Sequence, residues 1–307
     1  MKVGLRFDIS RPFLVHSRDS GDPVSHGEAM KPLLLSLMEL RRELPERLAL
    51  LVDIDGTISP IAPTPDMARV DSACRRALAA LAAALPLVAA ISGRSAADAA
   101  SITGITNMVY VGNHGLERWQ GGQLRPDPRA ADLAWAVNAA FSKLRGRLML
   151  PGVLYEHKGL TASVHYRLSP DPDMARQIIL DAVQDTAPAL PIQIREGRRV
   201  VEIWPALAVD KGTAIEGLLG EYQPEGALYL GDDRTDVDAF RALHRWTCQK
   251  NGWGAAIAVA NPETPREVLE EADYSLDGID EVRRFLTWLV QIYSAGNALP
   301  PWSAPTL

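Results

Sequence analysis

The stretch 48-LALLVDIDGTISPI-61 decides how the chain is read. Leu48 to Asp53 has the unbroken apolar texture of a strand covered on both faces. It then delivers Asp53 and Asp55 to the strand end, followed by Gly56 and Thr57. A lone buried charge costs several kcal/mol or more, so two carboxylates in such a place need a reason. One reason is local: polar residues end strands, and Asp-Gly makes a turn. The other is chemical: the pair holds a cation and attacks a substrate.

The same logic recurs at 228-LYLGDDRTDVDAF-240, where an apolar strand runs through Gly231 into Asp232, Asp233, Asp236 and Asp238. Between and around these two stretches, strands alternate with helices. An Ala-rich helix is expected at 70–85, a strand in PLVAAISGRS ending on Ser92, and a helix capped by Ser95. A third strand at 108–112 runs into Asn113-His114-Gly115. After residue 206 come a helix at 209–219, a strand at 227–231, a helix at 235–244, the strand AAIAVAN, and helices near 265–271 and 279–292. That alternation predicts a parallel α/β sheet, whose ligands bind beyond the carboxyl ends of the strands. From about Arg118 the texture changes. Helices at 129–145 and 172–186 separate GVLYEHKGLTASVHYR from PIQIREGRRVVEIWP, two hairpin-like segments, the second with its turn expected at Glu196-Gly197. The expected organisation is therefore an α/β core, 31–117 and 206–295, interrupted by an α+β insertion with an antiparallel sheet, 118–205. Residues 1–30, rich in Ser, Gly, Pro and His, read as an extension with little structure of its own.

Composition narrows the function classes. Hydrophobic residues make up 47% and charged residues 23% of the 307, a globular balance. The net charge of -6 argues against a nucleic-acid partner. No apolar run approaches the roughly 18 residues of a membrane span, and the N-terminus lacks the apolar centre of a secretory leader. Cys74 and Cys248 are far apart with no CxxC spacing, which excludes a disulfide framework and fits a reducing, cytoplasmic location.

Two strand ends carrying oxygen donors, with no His or Cys cluster near them, favour magnesium, which binds through one or two carboxylates plus waters and substrate phosphate. The plain alternative is that Asp232 caps the following helix and the other acids are solvated. Beside a magnesium-bound phosphoryl group, Asp53 can attack phosphorus. Asp55 can protonate the leaving oxygen and then activate water. An ordinary Asp titrates near ~3.9, so Asp55 needs neighbouring negative charge to stay protonated. Gly56 lets the backbone turn, and Thr57 can donate to a phosphoryl oxygen. Ser92 at a strand end and Lys211 near a helix start are further anion ligands, although serine there is ordinary and Asp210-Lys211-Gly212 could be a simple helix start.

In order, DIDGT (53–57), SGR (92–94), DKG (210–212) and GDDRTD (231–236) resemble the four motifs of haloacid-dehalogenase-type phosphatases. The resemblance implies a Rossmann-like core with Asp53 as nucleophile and Asp55 as general acid/base. Ser92 and Lys211 would bind phosphate. Asp53, the carbonyl of Asp55, and Asp232 would ligate Mg2+, with Asp236 in support. GNHG (112–115), YEHKG (155–159), SVHYR (163–167) and GRRVVEIWP (197–205) are further similar to trehalose-6-phosphate phosphatases, in which an α+β cap is inserted between the second and third motifs. Val237 departs from that pattern, since many members carry an acid there.

The resemblance implies hydrolysis of trehalose 6-phosphate through an aspartyl-phosphate. Glu156, Lys158 and Glu202 would grip the distal glucose, with Arg94 and His114 at the core edge as further substrate contacts. Glu156 and Lys158 could instead be a surface ion pair, and Glu202 could pair with Arg198 or Arg199. His165 and Arg167 are expected only to line the cap sheet. The alternatives are a phosphatase of the same class for another sugar phosphate, or a non-catalytic sugar-phosphate-binding relative. A nicotinamide-binding enzyme is disfavoured because the chain has no GxGxxG. The partner implied is a small sugar phosphate, and a trehalose-phosphate synthase is the protein partner left open.

Overall fold

A computed structural model describes residues 31–185, 190–250 and 252–294. The expected N-terminal extension, 1–30, lies outside the described residues. In chain order the elements are β1 (Lys31–Pro32), α1 (Leu37–Glu43), β2 (Leu48–Val52), α2 (Ser72–Ala84), β3 (Leu87–Ile91), α3 (Ala96–Thr103), β4 (Val109–Gly112), β5 (Glu117–Gln120) and β6 (Gln123–Pro126). Then follow α4 (Pro128–Arg147), β7 (Leu154–His157), β8 (Ala162–His165), α5 (Pro172–Gln184), β9 (Ile192–Gly197) and β10 (Val200–Pro205). The chain returns through α6 (Lys211–Tyr222), β11 (Gly226–Gly231), α7 (Arg234–Lys250), β12 (Trp253–Ala260), α8 (Arg266–Glu271), β13 (Tyr274–Asp277) and α9 (Gly278–Tyr293).

The large sheet runs β1-β13-β12-β11-β2-β3-β4-β5-β6. All its pairs are parallel except β4–β5 and β5–β6. The opening strand, β2, is wholly buried because both its faces are covered. Leu48, Leu50 and Val52 pack with residues of α1, α2 and α9, whereas Ala49 and Leu51 pack with residues of α6 and α7. Strand parity therefore sends Asp53 to the α6–α7 side, the side that carries Lys211. β11 lies directly beside β2, Leu230 opposite Val52. The two acidic strand ends are thus neighbours at the centre of the sheet.

A second sheet, β7-β8-β10-β9, is antiparallel throughout. Val164, Val201, Ile203 and Ala162 bury one of its faces against α4 and α5, with Val137, Phe141, Ile179 and Val183 among the packing partners. Glu156, Ser163, Glu202 and Arg195 form a single cross-strand row, so they share the opposite face. That face looks onto the carboxyl edge of the large sheet. At the junction, Trp204 packs with Leu116, Ala130, Leu160 and Val209.

Two features differ from the sequence expectation. Residues 117–126, mostly within the span read as insertion, form the hairpin β5–β6 on the edge of the large sheet. The strands are short and β6 is exposed along its length, so no apolar periodicity announces them. The β9–β10 turn falls at Arg198-Arg199 instead of Glu196-Gly197, because Gly197 pairs with Val200. That register is the one that buries Val201 and Ile203, and a slip of one residue would turn Glu202 into the core. Arg198 is thereby placed at the tip of the hairpin.

Candidate active site

The carboxyl ends of β2, β3, β4 and β11 carry Asp53, Ser92, Asn113-His114 and Asp232. The cleft above them is lined by Asp53, Asp55, Ser92, Lys211 and, from the second sheet, Glu156, Lys158 and Glu202 among others. Lys211 is the first residue of α6, whose start is a capping box: Asp210 Oδ1 accepts from the Thr213 N–H, and the Asp210 N–H donates to Thr213 Oγ1. The helix-start reading of Asp210-Lys211-Gly212 is therefore correct, and it is also what aims the ammonium. Lys211 Nζ lies 3.0 Å from Asp53 Oδ1 and 2.7 Å from Asp236 Oδ1. Burial opposes the ammonium, but Asp236 and Asp53 outweigh it and raise its pKa.

Asp236 is fully committed. Its Oδ1 accepts from Lys211 and the Tyr229 hydroxyl, and its Oδ2 from the N–H groups of Asp232 and Asp233. Gly231 is required here, since a Cβ would overlap the Asp236 carboxylate. Helix capping falls to Asp233, whose Oδ1 accepts from the Thr235 N–H, so the expected alternative that Asp232 is the cap does not hold. Asp232 is wholly buried and accepts from Thr57 Oγ1, Asn261 Nδ2 and Arg198 Nη1.

Oxygens of Asp53, Asp232 and Asp236 gather within 4.8 Å, a group fit for a divalent metal. Burial, reinforced by neighbouring acids, pushes the Asp53 carboxyl well above its usual range against the pull of Lys211. Burial likewise pushes Asp232 up to about 6 against the pull of Arg198. Two buried carboxyls short of positive charge, with oxygen-only donors, suit a hard cation. Because Asp236 has no lone pair to spare, Asp53 and Asp232 are the members left to hold it.

Asp55 is contacted differently from expectation. Arg94 grips it with a fork, Nε to Oδ2 at 2.7 Å and Nη2 to Oδ1 at 2.8 Å. Its direct partner is thus a cation and not the negative neighbour foreseen. Arg94 also donates to Asp98 and to the Pro65 carbonyl, so most of its donors are spent within the protein although it lines the cleft. Thr57 departs too: its hydroxyl is buried on Asp232 and does not line the cleft. Ser92 is buried at the cleft floor, its Oγ accepting from the Arg94 N–H. Asn113 and His114 both hold left-handed backbone (φ 47° and 53°), costing about 1–3 kcal/mol each, and are fixed by N–H donation to the Arg94 and Ser92 carbonyls. His114 packs on Trp204 at 5.1 Å between ring centres, with Nε2 3.7 Å from Glu202. Burial, with Lys211 and Lys158 nearby, drives its pKa well below normal, so the ring is neutral.

The three cap residues meet. Lys158 Nζ sits 3.5 Å from Glu202, 3.8 Å from Glu156 and 3.0 Å from the Gly93 carbonyl of the core. The Lys158 side chain is only 9% exposed, which rules out a surface ion pair. Glu202 also accepts from Ser163 and Trp204, while Arg198 and Arg199 turn elsewhere, to Asp232 and Asp173. Burial would raise the Glu156 pKa, yet the 2.8 Å bond to His165 and the Lys158 charge lower it.

Several residues of the cleft and of the acidic site behind it escaped the sequence reading. His165 and Arg167 line the cleft, and Arg167 crosses to Glu263 on the core. Ser163, His165 and Arg167 stand two apart in SVHYR, and that period-2 spacing was the available signal. Asn261 and Arg198 carried none, because each acts on an acid from a distant element.

A parallel sheet whose two central strands both end in buried carboxylates, roofed by an antiparallel sheet inserted in the chain, is the arrangement that the resemblance to haloacid-dehalogenase-type phosphatases implies. The profile of the trehalose-phosphatase family matches residues 51–275. The chain is 31% identical over 280 residues to a probable trehalose-phosphate phosphatase E of Arabidopsis thaliana, covering 85% of this chain and 75% of that one. It is 36% identical over 203 residues to a trehalose-phosphate phosphatase of Mycolicibacterium paratuberculosis, covering 64% of this chain and 51% of that one. In fold it is similar to the C-terminal domain of the Candida albicans trehalose-6-phosphate phosphatase, with a TM-score of 0.71, 24% identity and coverage of 86% and 99%. The chain belongs to the trehalose-phosphatase family. No helix among the described residues is long and apolar enough to cross a membrane.

Proposed function

We propose that the protein hydrolyses trehalose 6-phosphate to trehalose and phosphate through an aspartyl-phosphate on Asp53. One observation carries this reading: Asp53, paired with buried Lys211, lies at the floor of a cleft whose roof brings Glu156, Lys158 and Glu202 together. In this reading α4 to β10 form the cap, and the large sheet with its helices forms the catalytic core.

Asp53 Oδ attacks phosphorus, forming a P–O bond as the bond to the sugar O6 breaks. Asp55, released from Arg94, gives its proton to that oxygen and later takes one from the water that cleaves the aspartyl-phosphate. Ser92 and Lys211 hold the phosphoryl oxygens, and Lys211 offsets charge in the loose transition state. Asp53, the Asp55 carbonyl and Asp232 would hold Mg2+, which when bound supplies further positive charge beside the phosphoryl group. Glu156, Lys158 and Glu202 bind sugar hydroxyls, which present both donors and acceptors. With Lys158 also tied to Gly93, closure over the sugar excludes bulk water.

The test is phosphate release from trehalose 6-phosphate by the purified protein with magnesium. Asp53→Asn is expected to lose nearly all activity. Glu156→Ala and Glu202→Ala are expected to lower kcat/KM roughly 10- to 100-fold, the worth of a charge-assisted hydrogen bond. Much faster cleavage of glucose 6-phosphate or sucrose phosphate would overturn the substrate and leave the reaction class intact.

A further inference from the structure

The tip of the β9–β10 hairpin crosses from the second sheet into the acidic site. Arg198 Nη1 donates to Asp232 Oδ2 at 2.8 Å, and Nη2 to the Asp232 carbonyl at 2.6 Å. The Arg198 side chain is 18% exposed, and it covers a carboxylate that is itself wholly buried. A guanidinium has five N–H donors, and these two bonds use two of them. Nε is buried with no acceptor among the described residues. Arg198 nonetheless lines the cleft together with Asp53, Ser92 and Lys211. A planar, always-charged fork with donors to spare, beside a phosphoryl-transfer floor, suits a phosphate oxygen.

We infer that Arg198 is a cap-borne phosphoryl ligand: it binds the substrate's phosphate when the cap is closed, so that recognition of the sugar by the cap delivers a cation to the reacting group. The inference rests on the proposed phosphatase reading. Asp232, which accepts from Arg198, is also one of the carboxylates that would hold a divalent cation, so Arg198 would give up that bond in the loaded protein. The guanidinium, still tied to the hairpin turn, then has the phosphoryl group over Asp53 and Lys211 as its next anionic partner. No bond is made or broken at Arg198, and its part is electrostatic. Its neighbour Arg199 also borders the cleft, but its guanidinium pairs with exposed Asp173, so only Arg198 bonds an acid of the site. The turn register decides which, since pairing of Gly197 with Val200 sets Arg198 over the core.

The experiment separates phosphate from sugar. Calorimetric titration of the magnesium-loaded protein with inorganic phosphate and with trehalose is done for wild type, Arg198→Met and Arg198→Lys. Phosphate affinity is expected to weaken by roughly tenfold or more in Arg198→Met and to recover in part in Arg198→Lys, as for a charge-assisted bond. Trehalose affinity is expected to stay within about twofold, which also shows that the cleft is intact. In turnover, kcat should fall more than KM rises. Unchanged phosphate affinity in Arg198→Met overturns the inference. So does equal weakening for trehalose, which would make Arg198 a structural latch, and so does tighter magnesium binding with phosphate unchanged, which would make it only a competitor for Asp232. If wild type does not cleave trehalose 6-phosphate, the substrate reading fails. The phosphate titration, and turnover of p-nitrophenyl phosphate, still decide the role of Arg198.

Discussion

Replacing Lys211 by methionine removes a charge while keeping the stem that fills the start of α6. The lysine side chain is 2% exposed, and its ammonium touches Asp53 at 3.0 Å and Asp236 at 2.7 Å. At an effective dielectric of about 20, a unit pair 3 Å apart is worth roughly 5 kcal/mol before desolvation is subtracted. Losing the lysine removes the cost of burying it, but it leaves Asp53 and Asp236 without their counter-charge and crowded beside Asp232. Deleting one partner of a buried pair costs about 3–5 kcal/mol, and the three acids left behind place this site in that range. At about 2–4 °C per kcal/mol in sizeable domains, the metal-free variant should melt roughly 6–20 °C below wild type near neutral pH. The sign with pH follows from linkage. Asp53 is already raised, and without Lys211 it is raised further, so the folded variant takes up protons that the unfolded chain does not. Its deficit therefore shrinks as the buffer is lowered toward about pH 5, and added magnesium, which restores positive charge, narrows it near neutrality. Melting by calorimetry at both pH values, with and without magnesium, measures all of this. Lys211→Met combined with Asp236→Asn should be less destabilised than Lys211→Met alone, since one uncompensated acid has gone. Metal-free Lys211→Met melting within about 2 °C of wild type near neutral pH would show that Lys211 is not the counter-charge of this site.

Two further outcomes are expected. Asp232 is pushed up to about 6 and Asp53 is raised as well, so protons compete with the metal for both carboxylates: magnesium affinity should rise with pH from about 5 through 6, and an affinity flat over that range refutes the assignment. Gly56 combines φ 92° with a position where a Cβ would overlap the Asp232 carboxylate, so Gly56→Ala should lose stability by about 1–3 kcal/mol and most of its magnesium affinity, checked by melting and calorimetric titration.

The centre of the core was legible because β2, β3, β4 and β11 repeat one pattern: a short buried run, then a polar residue. Asp53, Ser92 and Asp232 stand at such run ends, and sheet geometry alone sends run ends to one edge. The cap sheet was legible as two hairpin-like segments separated by helices, but strand pairing is what sets Glu156 and Glu202 on one face and Val201 and Ile203 on the other. The hairpin β5–β6 was not legible, being short, with β6 exposed along its length. The bond from the Thr57 hydroxyl to Asp232 was not legible, because a hydroxyl beside a nucleophile suits a phosphate as well as it suits the neighbouring strand's acid.

Local sequence was enough to place acids, hydroxyl and ammonium at strand and helix ends, since burial period and capping chemistry are properties of a few adjacent residues. Which groups answer one another is another matter. That Arg94 clamps Asp55, that Asp236 is spent on Lys211 and Tyr229, and that Arg198 and not Arg199 reaches Asp232 depend on strand order and turn register. Charges interact over a few ångströms of space whatever their separation along the chain, and Arg198 and Asp232 lie 34 residues apart. Only packing of the second sheet over the first brings that pair within 2.8 Å.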